Sequence, residues 1–236
     1  MQSIQLADYT IPIGNDFSPL NELIRNKQYT KIVVLVDENT AVHCLPILKK
    51  ELHAIFEIIQ IPAGEQHKNI QTCQLIWTQM MQLKLSRKAL CINLGGGVIG
   101  DMGGFCASTF KRGMDFVQIP TTLLSQVDAS IGGKLGIDFM QVKNSIGVFN
   151  NPQMVLVNPD FLKTLSKAEI RSGFAEIIKH SLIADGKEWQ RIQKMKVLEE
   201  IDWTSLIEPS LQIKKQVVET DPFEHGLRKA LNFGHT

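Results

Sequence analysis

The chain has 236 residues, 44% hydrophobic and 21% charged, and 25 Lys and Arg against 24 Asp and Glu leave a formal charge of +1. That is enough chain for one large or two modest domains with a real core, and the balanced charge gives no electrostatic footprint for nucleic acid or an anionic membrane. No apolar run reaches membrane-spanning length, the N-terminus MQSIQLADYT lacks the basic-then-apolar pattern of a signal peptide, and Cys44, Cys73, Cys91 and Cys106 contain no C-x-x-C pair or disulfide framework, so the expected compartment is the cytoplasm.

In chain order, residues 31–37 (KIVVLVD) form the first strong strand candidate, followed by a helix over about 42–52. Residues 56–61 form a second strand that stops at Pro62. Over 69–83, Leu75, Ile76, Met80 and Leu83 recur at helical intervals. A third strand at 89–94 runs into glycines and opens a helix over 101–110. A short fourth strand, 116–119, ends at Pro120. After residues 152–157 (PQMVLV) the strand signals vanish, and 167–183 and 203–219 carry apolar residues at helical spacing. The alternation predicts a parallel α/β layout, and the shift near 150–160 predicts a second, all-helical domain, dividing the chain into 1–150 and 151–236. The ending RKALNFGHT does not read as a natural terminus, so a chain shortened at its C-terminal end is expected.

Four strand ends carry polar or glycine-rich loops, the edge at which α/β proteins bind ligands. Gly95, Gly96, Gly97 and Gly100, then Asp101, join a strand to a helix. Glycines there let a backbone approach a pyrophosphate, and the helix N-terminus adds amide donors. The same run also reads as a tight, closely packed turn, and its place after the third strand is not the usual dinucleotide arrangement. Asp37 suits an adenosine ribose, and its charge favours NAD over NADP; a helix-capping role fits equally. Thr121 and Thr122 are placed to meet phosphate or to cap a helix, and Glu65 and Lys68 follow a polar turn.

Lys134 after two glycines, with Lys143 and Asn144, suits a phosphate or carboxylate; a solvated loop is the plainer reading. In SGFAEIIKH, Glu176 and Lys179 stand i, i+3 on one helix face. That spacing alone favours a surface salt bridge, although the apolar flanks invite a buried partner or a metal. His180 fits either an i, i+4 ligand pair with Glu176 or a surface histidine.

Six segments, PAGEQHK, GGGVIGDMGGF, PTTLLSQVDASIGGK, KNSIGVFNNP, SGFAEIIKH and LNFGHT, stand in the order and approximate spacing of 3-dehydroquinate synthases, and from Asp37 onward the chain resembles that family. The resemblance implies an α/β nucleotide-binding domain followed by an all-α metal-binding domain, with the active site between them. It implies conversion of 3-deoxy-D-arabino-heptulosonate 7-phosphate to 3-dehydroquinate and phosphate in aromatic biosynthesis. The route is transient NAD-dependent oxidation, phosphate elimination, reduction and intramolecular aldol closure, a carbon–oxygen lyase reaction overall.

Carried over by position, Asp37, Glu65, Lys68, Gly96, Gly97, Asp101, Thr121 and Thr122 resemble NAD contacts, with Phe161 and Thr164 beside the same cleft. Asp128, Lys134, Lys143, Asn144, Lys179, Arg228 and Asn232 resemble substrate contacts. Arg112 resembles an arginine that reaches a neighbouring subunit's site, which implies a homodimer. Glu176 and His235 resemble two of three ligands to zinc or cobalt. Two other readings are an NAD-binding fragment that turns nothing over and a polyol dehydrogenase of the glycerol-dehydrogenase type. The latter has no need of so many cations.

Overall fold

The computed structural model describes residues 2–195 and 201–234. The chain opens with an antiparallel pair, β1 (Gln2–Gln5) and β2 (Thr10–Ile13), then α1 (Ser18–Lys27) and β3 (Ile32–Asp37). The next segments are α2 (Glu38–His43), α3 (Leu45–Glu51), β4 (Glu57–Ile61), α4 (Ile70–Gln82), β5 (Leu90–Gly95), α5 (Gly97–Thr109) and β6 (Asp115–Pro120). A hairpin of β7 (Lys134–Phe139) and β8 (Val142–Phe149) leads to β9 (Met154–Val155). The remainder is helical: α6 (Lys167–Ala184), α7 (Gly186–Ile192) and α8 (Thr204–Thr220), then a 3₁₀ segment at Leu227–Asn232.

The main sheet has seven strands in the order β1-β2-β9-β6-β5-β3-β4, parallel except for the β1–β2 pair. The β-branched run of β3 is buried on both faces, as a parallel strand covered by helices requires. Val33 and Leu35 point into a cluster with Cys73, Ile76 and Met80 of α4 and Met102 and Cys106 of α5. Val34 and Val36 point the other way, to Leu20 of α1 and Leu45 and Leu48 of α3. This is an α/β sheet with helices on both faces.

Several boundaries differ from expectation, each for a local reason. The helix expected over 42–52 is two helices. Asp37 caps α2 from the strand end by accepting from Thr40 N at 2.8 Å, and Pro46, which has no N–H to donate, stands at the start of α3. Helix α5 begins at Gly97, inside the glycine run. Lys134 and Asn144 lie on the β7–β8 hairpin and not on an irregular loop. Met154–Val155 pairs with β6 and β2, so sheet structure extends past residue 150. Among the described residues, no helix is long and apolar enough to cross a membrane.

Candidate active site

Strand order reverses between β3 and β5: β4 lies on one side, β6 and β9 on the other. At such a switch point the loops separate and leave a crevice beyond the strand ends. Asp37 and Gly96 flank it. Gly96 is the N-cap of α5 and provides no side-chain cap for that helix's first amides. A Cβ on Gly96 would come to 3.0 Å from Thr122 Cγ2, so a side chain there would crowd the opposite wall. Thr122 Oγ1 and Ser125 Oγ are 2.8 Å apart and tie the opposite wall. Uncapped amides beside a side-chain-free wall suit a phosphate group.

Lys68 is buried beneath this crevice, with its Nζ 2.6 Å from both Asp101 Oδ2 and Asn144 Oδ1. One ammonium therefore joins the loop after β4, the first turns of α5 and the hairpin. Burial pushes the Asp101 carboxyl up to about 6, against the opposing pull of Lys68. Glu65 is exposed, and Lys143 Nζ lies 3.9 Å from its carboxylate.

A second cavity of about 610 Å³ adjoins, within the size range of small-ligand sites. Its lining includes Asp101, Asp128, Lys134, Asn144, Arg228 and Asn232, six of the residues singled out by sequence. Asp128 stands on a π-helical turn, Ser125–Ala129, a distortion of the kind that recurs at functional sites. Arg228 is buried under the glycine turn, and its Nη2 donates to Gly132 O at 3.1 Å. The cavity's cations are not bare: Lys134 pairs with Glu224, whose other oxygen accepts from Asn232 Nδ2 at 2.7 Å.

Lys214 of α8 and Glu224 were not legible as site residues. Lys214 is buried and pairs with the Asp128 side chain while donating to Asp128 O at 2.5 Å. Burial raises the Asp128 carboxyl, but the Lys214 ammonium and the neighbouring His180 outweigh it and hold the group well below the usual carboxylate range. Burial lowers the Lys214 amine, with Asp128 opposing. The signal for Lys214 was a lysine on the apolar stripe of a helix, between Ile213 and Val217; Glu224 had no signal beyond its position four residues before Arg228.

Behind Asp128 stands α6. Glu176 and Lys179 form their i, i+3 pair with side chains only 14% and 7% exposed, so the pair is not on the surface. His180 is fully buried rather than a surface histidine. Donor atoms of Asp128, Glu176 and His180 all lie within 4.8 Å of one another. His235, the other expected metal ligand, lies outside the described residues. Three sequence-predicted residues stand apart: Phe161 packs in the core with Val34 and Ile92, Thr164 is exposed, and Arg112 is exposed after α5; Lys143 is exposed as well but faces Glu65.

The sequence matches the 3-dehydroquinate synthase N-terminal family over residues 58–172 and the corresponding C-terminal family over 173–236. The chain belongs to the 3-dehydroquinate synthase family. A 3-dehydroquinate synthase from Parabacteroides distasonis is 41% identical over 240 residues, covering 98% of this chain and 67% of that protein. Among solved structures, 2-epi-5-epi-valiolone synthase from Streptomyces hygroscopicus subsp. jinggangensis, with NAD+ and Zn2+ bound, aligns with a TM-score of 0.82 and 25% identity, covering all of this chain and 68% of that one. A 2-deoxy-scyllo-inosose synthase complexed with carbaglucose-6-phosphate, NAD+ and Co2+ aligns at 0.85 with 18% identity over 99% of this chain and 68% of that one, a likeness of fold. The architecture is thus that of the sugar-phosphate cyclases.

Proposed function

We propose that this chain carries the 3-dehydroquinate synthase activity, releasing phosphate from 3-deoxy-D-arabino-heptulosonate 7-phosphate and closing the carbocycle. The observation that supports this reading most is the convergence of Asp128, Lys134, Asn144, Arg228 and Asn232, with Lys214, around one cavity. A phosphate dianion and a carboxylate both need cations, and the buried Lys214 and Arg228 with the more exposed Lys134 meet them there. Lys134 exchanges Glu224 for the incoming anion. Asp128 accepts from substrate hydroxyls, and Asn144 orients the ring beside the nucleotide.

In this reading residues 1–150 hold NAD, and 151–236 supply the helical wall. The uncapped amides at Gly96 and Gly97, with Thr121 and Thr122, fit the pyrophosphate, and Asp37 the ribose, while Lys68 and Asp101 hold the floor. Glu176 and His235 would hold zinc or cobalt; the largely buried Glu176 carboxylate, with an Asp128 oxygen within 4.8 Å of it, suits such an ion. When bound, NAD supplies reversible hydride acceptance and the metal polarises the reacting oxygen. Arg112 follows Lys111, and both backbones are left-handed, at φ 68° and 51°. That turn presents the guanidinium outward, where it would reach a second copy in a homodimer.

The test is phosphate release from the heptulosonate phosphate with NAD and Zn2+ added, followed by identification of the carbon product. Dehydroquinate with equimolar phosphate is expected. Tight NAD binding with no phosphate release would sink the reading for this chain.

A further inference from the structure

His180 belongs to none of the roles assigned so far. It is fully buried in α6, and its two ring nitrogens face different groups. Nδ1 lies 2.6 Å from Ser210 Oγ of α8. Nε2 has no hydrogen-bond partner and lies 3.8 Å from Asp128 Oδ1. Lys214 also engages Oδ1, so two groups address the same carboxylate oxygen.

The polarity of this chain follows from its two ends. A carboxylate only accepts, so an Nε2 lone pair turned towards it would be repelled, whereas an Nε2 proton would be attracted. A proton on Nε2 in a neutral ring leaves Nδ1 as acceptor, and the Ser210 hydroxyl is the donor within reach. His180 and Ser210 are both buried, so the contact at one ring nitrogen fixes the state of the other.

We propose that Ser210 and His180 form a positioning relay for Asp128. Ser210 donates to Nδ1 and thereby selects the Nε2–H tautomer. That N–H attracts Oδ1 across 3.8 Å and, with the Lys214 contact, turns the carboxylate to present Oδ2 to the cavity. His180 acts through Asp128 and touches no substrate. The functional consequence rests on the synthase reading above; the tautomer does not.

The experiment is a long-range proton–nitrogen spectrum of the full chain labelled with 15N-histidine, with His180 assigned by its loss in His180→Gln. A proton on Nε2 and a bare Nδ1 are expected, with a shift in tautomer balance in Ser210→Ala. A proton on Nδ1, in the other neutral tautomer or in an imidazolium, would overturn the relay. So would direct perturbation of Nε2 on adding Zn2+, which would make His180 a metal ligand. In turnover, Ser210→Ala is expected to lose about tenfold or more in kcat with NAD affinity unchanged, as when a partner orienting a functional group is removed. An unchanged kcat would defeat the positioning role. If the parent chain releases no phosphate, the synthase reading fails, while the spectrum still decides the relay.

Discussion

At the scale of single residues, the pairs around the crevice make opposite demands on pH. Asp128 is held ionised, whereas Asp101, about one-fifth exposed, is raised from 3.8 to about 6 by burial. A folded-state carboxyl with a raised pKa keeps its proton where the unfolded chain has lost it. Below about 4 both states are protonated and nothing is lost; between about 4 and 6 ionisation progressively destabilises the fold; above 6 the cost is complete. A shift of this size corresponds to roughly 2–3 kcal/mol. Asp101→Asn removes the titration. The stability of Asp101→Asn relative to the parent should therefore rise between pH 4 and 6.5 in urea unfolding, then level off. A pH-independent difference would show that Asp101 does not hold its proton.

At the scale of elements, the close crossing of α6 and the segment entering the π-helical turn fixes Glu176, Lys179 and His180 against Asp128. Gly173 permits it: a Cβ there would fall 2.5 Å from Leu123 Cβ and closer still to Leu124 N. Alanine gains about 1 kcal/mol over glycine in a helix interior, but backbone cannot yield as a side-chain tip can. Gly173→Ala should be destabilised by a net ~1–3 kcal/mol, the usual cost of overpacking. Thermal unfolding of the variant should begin several degrees lower; a gain in Tm would mean that the crossing is looser than the structure has it. The same crossing explains what sequence could and could not disclose. Strands 31–37 and 89–94 were legible as continuous apolar runs because both faces are buried, and helices 167–183 and 203–219 because burial imposes one periodicity on each. The β7–β8 hairpin was not, because β8 is largely exposed and the lysines and glycines spread over both strands spell a loop. Spacing alone placed the Glu176–Lys179 pair outside; the tertiary packing around α6 buries it. Lys214 stayed hidden for the same reason, since its partner Asp128 is 86 residues away.

At the scale of the whole molecule, the composition shift near residue 150 marks a change in secondary structure, while the core is continuous across it. One apolar cluster contains Ile11 and Ile13 of β2, Val155 of β9, Ile177 of α6 and Leu206, Ile207 and Leu211 of α8. The helices therefore share their interior with the edge of the sheet, and unfolding either would expose the other's apolar face. On that basis the chain melts in one cooperative transition, and a ligand bound at the crevice stabilises the helices as well as the sheet. NAD at a hundred times its dissociation constant adds about 2.7 kcal/mol by mass action, or roughly 5–10 °C for a chain of this size. Calorimetry with and without NAD should show a single endotherm displaced upward as a whole. Two endotherms, with only one moving, would mean that the shared cluster fails to couple the two parts.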